Sequence, residues 1–131
     1  MCETFTMSDD KLVKDVMSKA LISVDPATTV FQVAKMMEQG IGAVLVKKDG
    51  TPAGIITDRD YAINIAVNKI SLDTPVEKVA SFPLITIDAG DTIKSAASQM
   101  TSKKIRKLAV VDNGKVVGII TSTDLVTQMS M

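Results

Sequence analysis

Apolar residues along the chain alternate between two spacings. Short apolar runs of strand type stand beside stretches in which apolar residues recur at i, i+3, i+4 and i+7, the period of a helix with one buried face. The helical stretches carry Val30, Val33, Ala34 and Met37 in the first half and Ile93, Ala96, Ala97 and Met100 in the second. Thr29 and Thr92 stand just before them and are the expected N-caps, because a threonine hydroxyl accepts a hydrogen bond from a free first-turn N–H. The apolar runs Leu21–Val24 and Leu84–Ile87 predict a strand ahead of each helix. Two further runs follow each helix: Ala43–Val46 and Ala53–Ile56 around Asp49-Gly50, then Leu108–Val111 and Val116–Ile120 around Asn113-Gly114. Asp-Gly and Asn-Gly between apolar runs predict hairpins, since tight turns need positive φ. A second helix closes each unit, over Asp58–Asn68 and Ser122–Met129. A helix over about Ser8–Met17 opens the chain, and one over Pro75–Ala80 opens the second half.

The two halves are copies. VKDVMSKALISVDPATTVFQVAKMM from Val13 is answered by VEKVASFPLITIDAGDTIKSAASQM from Val76, and GIITDRD from Gly54 by GIITSTD from Gly118. The spacing grows by one residue between these matches, which places an insertion near Lys103–Lys104, at a loop. The fold class is therefore α/β (α+β), with two pseudo-symmetric β-α-β-β-α repeats. The first, residues 1–70, includes the opening helix; the second is residues 71–131; together they make one module. A single unit is too small to bury its sheet well, so the copies are expected to pack together. The eight Met residues fall mostly at apolar helix positions and are read as core.

Composition narrows the function. Fifteen basic and fifteen acidic residues cancel, so no basic field draws in a nucleic-acid backbone. No apolar run approaches the roughly 20 residues that span a bilayer. Met1–Asp10 is polar, without the apolar centre of a secretory signal, and the single Cys2 makes no internal disulfide; both suit the cytoplasm. The absence of His removes a histidine base and the usual imidazole-ligated zinc site. Lys, Asp, Glu and the lone Tyr61 remain as acid–base groups, but no catalytic constellation gathers them. The expectation is a ligand-binding protein, not an enzyme, with no catalytic residue, no metal and no required cofactor.

The doubled Gly-Ile-Ile-Thr-x-x-Asp, Gly54 to Asp60 and Gly118 to Asp124, carries the candidate chemistry. In each copy a strand ends, a hydroxyl follows, and a carboxylate arrives three residues later as a helix begins. One reading is a capping box, with Thr57 or Thr121 capping and Asp60 or Asp124 reaching back to a backbone N–H. The other is a nucleotide site. Helix N-termini present free N–H groups to phosphate, and a carboxylate accepts two hydrogen bonds from a ribose diol. The flanking apolar strands would then form a slot for the base.

The repeat, the VKDVMS opening, the TVFQVAKMM helix and the doubled GIIT-x-x-D resemble the cystathionine β-synthase (CBS) domain family, as a tandem pair over Val13 to Met129. The resemblance implies two repeats packed through their small sheets. It also implies a regulatory module with inter-repeat clefts for adenosyl ligands such as AMP, ADP, ATP, S-adenosylmethionine or NAD-like molecules, and frequent homodimers. Asp60 and Asp124 match the family's ribose-binding aspartates, Thr57 and Thr121 its hydroxyl position, and Thr123 a second hydroxyl able to reach phosphate. Ile22-Ser23 and Ile85-Thr86 match the first-strand segment lining the cleft. Ile41-Gly42-Ala43 and Ile105-Arg106-Lys107 match the segment entering the second strand, which carries phosphate-binding cations in nucleotide-binding members.

The copies differ at that segment. Arg106 and Lys107 suit phosphate, whereas Gly42 and Ala43 leave Arg59 as the nearest cation, flanked by Asp58 and Asp60, which compete for its charge. Arg106 and Lys107 also suit a solvated loop beside Lys103 and Lys104. The Asp124 cleft is expected to be the stronger phosphate site, and the Asp60 cleft weaker or tuned to a less anionic ligand. The leading reading is a stand-alone adenosine-nucleotide sensor that signals to a protein partner through a conformational or dimer change. The alternatives are a ligand-free dimeric interaction scaffold and an S-adenosylmethionine or NAD-type sensor.

Overall fold

The computed structural model describes residues 11–129, and these fall into two compact units. One unit is residues 22–84. The other joins residues 85–129 to residues 11–21. The predicted division into residues 1–70 and 71–131 follows the repeat along the chain. In space the two leading segments are exchanged: residues 11–21 group with the second repeat, and residues 71–84 stay with the first.

In chain order the elements are α1 (Val13–Val16), β1 (Ser23–Val24), α2 (Val30–Met37), β2 (Ala43–Lys48), β3 (Thr51–Thr57), α3 (Asp58–Tyr61) and a π-helical segment (Ala62–Val67). A 3-10 turn (Val76–Lys78), β4 (Thr86–Asp88), α4 (Ile93–Lys103), β5 (Lys107–Asp112), β6 (Lys115–Thr121) and α5 (Ser122–Met129) follow. Each unit holds a three-stranded sheet, β1-β2-β3 or β4-β5-β6, with its first pair parallel and its second antiparallel. The register slips at the same place in both hairpins, at Val46/Lys47 and at Val110/Val111. The duplication therefore extends to irregularities.

Local chemistry accounts for most boundaries. Thr29 Oγ1 accepts from Gln32 N–H at 3.1 Å while Gln32 Oε1 accepts from Thr29 N–H at 2.9 Å, a reciprocal capping box that starts α2. Thr92 Oγ1 accepts from Ser95 N–H at 3.1 Å and starts α4, which ends on Lys104 in the left-handed region. Both hairpin turns have two positive-φ residues, Asp49 (55°) with Gly50 (82°) and Asn113 (52°) with Gly114 (78°), as a type I′ turn requires.

Three predicted helices turn out differently. The segment Asp58–Asn68 is not one α-helix, because it passes from α3 into the π-helical segment. Asn64 Nδ2 donates to the Asp60 carbonyl at 2.9 Å, the acceptor that a regular helix offers to the Asn64 backbone N–H. The segment Pro75–Ala80 is only the 3-10 turn, since Pro75 is extended and bridges Thr29, and Val76 N–H donates to Thr28 O at 2.7 Å. The opening helix is likewise short: Leu12 is extended and bridges Thr92, while Ser8–Asp10 of the predicted span lie outside the described residues.

The cores are equivalent. Val24, Val33, Val44, Val46, Ile56 and Val76 are buried together in residues 22–84, with Met36, Met37 and Tyr61 packed against them. In the other unit Val13, Ile87, Ile93, Met100, Leu108, Val110, Ile120 and Leu125 form the core, and Met17 packs on it. Each such side chain contributes on the order of 1.5–3 kcal/mol by leaving water. The methionines named here serve as core, as predicted. The leading segments complete each unit by pairing with its third strand. Ser18 and Ile119 exchange N–H···O bonds of 2.8 and 3.0 Å, and Ser81 and Ile55 do the same at 2.8 and 3.0 Å. Gly118 and Gly54 make this approach possible. A Cβ at Gly118 would lie 2.5 Å from Met17 Sδ and 2.8 Å from the Ser18 carbonyl, and one at Gly54 2.5 Å from the Phe82 ring.

Candidate functional site

In the second repeat, sheet register gathers the predicted residues at one end of the sheet. β4 and β5 run parallel and begin there, and β6 ends there. Lys107 pairs with Thr121, Ala109 N–H donates to Ile85 O at 3.0 Å, and Ser122 N–H donates to Arg106 O at 2.9 Å. Ile85, Thr86, Ile105, Arg106, Lys107 and Thr121 thus converge on the start of α5, which carries Thr123 and Asp124. Ile105 packs on the core, Lys107, Thr121 and Asp124 are half-buried, and Arg106 and Thr123 are exposed.

The Thr121–Asp124 pair forms the capping box. Asp124 Oδ2 accepts from Thr121 N–H at 2.8 Å, and Thr121 Oγ1 accepts from Asp124 N–H at 3.2 Å. Among the described residues no donor reaches Asp124 Oδ1, and the Thr121 hydroxyl proton is committed to no acceptor. The cap therefore uses one carboxylate oxygen and leaves the other.

The first repeat brings its residues together in the same way. Ser23 pairs with Leu45, whose N–H donates to Ile22 O at 2.8 Å, and Ala43 pairs with Thr57. Ile22 and Ile41 pack on the core, Ser23, Ala43, Thr57 and Asp60 are half-buried, and Gly42 and Arg59 are exposed. A Cβ at Gly42 would meet nothing within 4 Å, so the place filled by Arg106 in the other copy is open here. Asp60 Oδ2 accepts twice from the same residue, from Thr57 N–H at 2.9 Å and from Thr57 Oγ1–H at 3.3 Å. The Thr57 hydroxyl proton is thus directed at Asp60. Arg59 forms no ion pair with Asp58 or Asp60 among the described residues.

Two side chains near this site, Asn64 and Tyr61, were not assigned to it from sequence, where Tyr61 stood only among the acid–base groups. Tyr61 Oη donates to the Val30 carbonyl at 2.6 Å, and burial pushes its phenol up from 10.0 to about 12. Asn64 follows Asp60 by one helical turn, a spacing that could have flagged it; Tyr61 and Val30 are too far apart in sequence for any such signal. An open groove lined by Pro26, Lys47, Lys48, Asp49, Glu77 and Phe82 contains none of the predicted residues. Among the described residues no three His, Cys, Asp or Glu side chains gather as a metal site, and no helix is long and apolar enough to cross a membrane.

Comparison with known proteins agrees with this arrangement. The chain is 35% identical over 120 residues to the CBS domain-containing protein YhcV of Bacillus subtilis, covering 90% of this chain and 86% of that one. It is 36% identical to the uncharacterized protein MK0525 of Methanopyrus kandleri, of whose length it spans only 60% while 86% of this chain is covered. Among solved structures, the CBS domain pair of protein MJ0100, in complex with 5′-methylthioadenosine and S-adenosyl-L-methionine, superimposes with a TM-score of 0.80 at 29% identity, over 92% of this chain and 96% of that one. The CBS domain is matched twice, at residues 13–66 and 76–130. The chain belongs to the CBS domain family, as a tandem pair of repeats.

Proposed function

We propose that this CBS pair is a regulatory module that binds an adenosine nucleotide of the AMP, ADP or ATP type, with the Asp124 site as its stronger phosphate-bearing site. The observation that carries the reading is the Asp124 carboxylate. One oxygen is fixed by the Thr121 N–H, the other is unengaged among the described residues, and Arg106 and Lys107 stand on the neighbouring strand entry. A ribose diol would donate to the unengaged oxygen, and the Thr121 and Thr123 hydroxyls with the two cations would meet the phosphate. The complex of MJ0100 with two adenosyl molecules supports the class of ligand. At the Asp60 site Thr57 and Arg59 are the only corresponding polar groups, and a less anionic adenosyl ligand such as S-adenosylmethionine fits it better.

The module has no catalytic role in this reading. Ligand shifts a conformational or homodimer equilibrium by its differential affinity for the two states, and a protein partner reads the change. Exposed apolar side chains such as Ile63 and Val67 suit a second copy. The cytoplasm, where free nucleotides are abundant, is the expected location. The dimeric scaffold without ligand is favoured by one observation, that both carboxylates already serve as caps.

Thermal unfolding with AMP, ADP, ATP, S-adenosylmethionine and NAD separates the two. A ligand at 100 times its Kd adds about 2.7 kcal/mol, a shift of several degrees, and Asp124→Ala abolishes it. Silence across the panel from a folded protein would leave the scaffold.

A further inference from the structure

Asp60 sits on a helix that changes its period just beyond it. α3 has only four residues, and the chain beyond it is π-helical, with Asn68 N–H donating to Ile63 O five residues back at 3.0 Å. Short π-helical turns recur at functional sites because they re-aim side chains. Here two side chains take over the support. Asn64 Nδ2 holds the Asp60 carbonyl at 2.9 Å, and Tyr61, the next residue, is anchored by its hydroxyl to the Val30 carbonyl at 2.6 Å while its ring packs on the core. Val30 is itself buried and fixed, its N–H donating to Thr74 O at 2.9 Å.

The second repeat is built otherwise. Leu125 takes the place of Tyr61 and is buried, Gln128 takes the place of Asn64, and α5 runs as a regular eight-residue helix. An apolar side chain suffices there because the helix ladder fixes Asp124 from its own backbone. In the first repeat the ladder changes to five-residue spacing just past Asp60.

We infer that Tyr61 and Asn64 are positioning residues that fix the Asp60 carboxylate against Thr57, and that this support is specific to the first of the two sites. The inference rests on the proposed function only for its consequence, that the Asp60 site loses affinity when either residue is changed. The positioning itself is measurable without ligand, because the Thr57 N–H donates to Asp60 Oδ2 and is protected only while the carboxylate stays in place. Thr121 N–H, donating to Asp124 Oδ2, is the internal control.

The experiment is amide hydrogen exchange by NMR on the ligand-free protein, followed by calorimetric titration with AMP and with S-adenosylmethionine. Tyr61→Phe keeps the ring and removes the hydroxyl; Asn64→Ala removes the side-chain donor. In both, Thr57 exchange is expected to accelerate at least about tenfold, the scale of one hydrogen bond to a charged group, with Thr121 unchanged. Should one variant fail to fold, the other carries the test. Equal acceleration at Thr57 and Thr121 would reduce the role to general stability and overturn the inference, as would unchanged Thr57 exchange. Selective acceleration in a protein whose wild type binds neither AMP nor S-adenosylmethionine would uphold the positioning and remove the ligand assignment.

Discussion

The two threonine–aspartate pairs share a motif, a strand end, a register and a bond from threonine N–H to aspartate Oδ2, yet their hydroxyl contacts and neighbouring charges differ. At Thr121 the hydroxyl accepts from the Asp124 N–H at 3.2 Å. At Thr57 the hydroxyl donates to the carboxylate, and Asp60 Oδ2 receives two bonds from one residue. Cations follow the same division, with Arg106 and Lys107 beside one pair and Gly42 and Ala43 beside the other. Identical spacing thus yields one site rich in donors and one poor in them. A cap that occupies one carboxylate oxygen leaves the second, so capping is compatible with the proposed ligand binding.

The comparison can be tested by substitution. The largest effect is expected where each leading segment crosses its third strand. Gly118→Ala should lose about 2 kcal/mol more in urea unfolding than Gly54→Ala. Its Cβ would meet the Ser18 backbone carbonyl, which is fixed by the strand pairing, whereas the Phe82 ring above Gly54 is 40% exposed and can swing away. Equal losses would show that both approaches are equally yielding.

A smaller effect should come from transplanting a cation. Gly42 has ordinary backbone and open space at its Cβ, so Gly42→Arg should fold and give the first site the counterpart of Arg106. AMP binding at that site is expected to tighten roughly tenfold, the scale of a charge-assisted phosphate contact, with S-adenosylmethionine little affected. Titration calorimetry reads both.

The smallest effect concerns Tyr61. Burial holds its phenol protonated up to about 12, against 10.0 for an exposed tyrosine. The folded state keeps a proton that the unfolded chain loses, so this contribution is whole below pH 10 and is lost as pH rises toward 12. Tyr61→Phe should therefore show a shallower alkaline fall in melting temperature than wild type; parallel curves would contradict the burial.

Much of this was legible in the residues. The repeat, the hairpin turns at Asp49-Gly50 and Asn113-Gly114, and the N-caps Thr29 and Thr92 depend on neighbours a few positions away, and the chain states them directly. The convergence of Ile105-Arg106-Lys107 on Thr121 follows once the hairpin register is known. The exchange of leading segments was hidden, because the Ser18–Ile119 and Ser81–Ile55 pairings join residues with no shared local pattern. So was the π-helical segment, since the apolar spacing of Ala62–Val67 also suits an α-helix. The different contacts of the Thr57 and Thr121 hydroxyls are invisible in a motif that is the same in both copies.

The central claim is the ranking of the two sites. Titration calorimetry with AMP on the wild type, Asp124→Ala and Asp60→Ala tests it directly. Asp124→Ala is expected to remove the tighter binding event, and Asp60→Ala to leave it in place. Loss of AMP binding in Asp60→Ala, with Asp124→Ala intact, would contradict it.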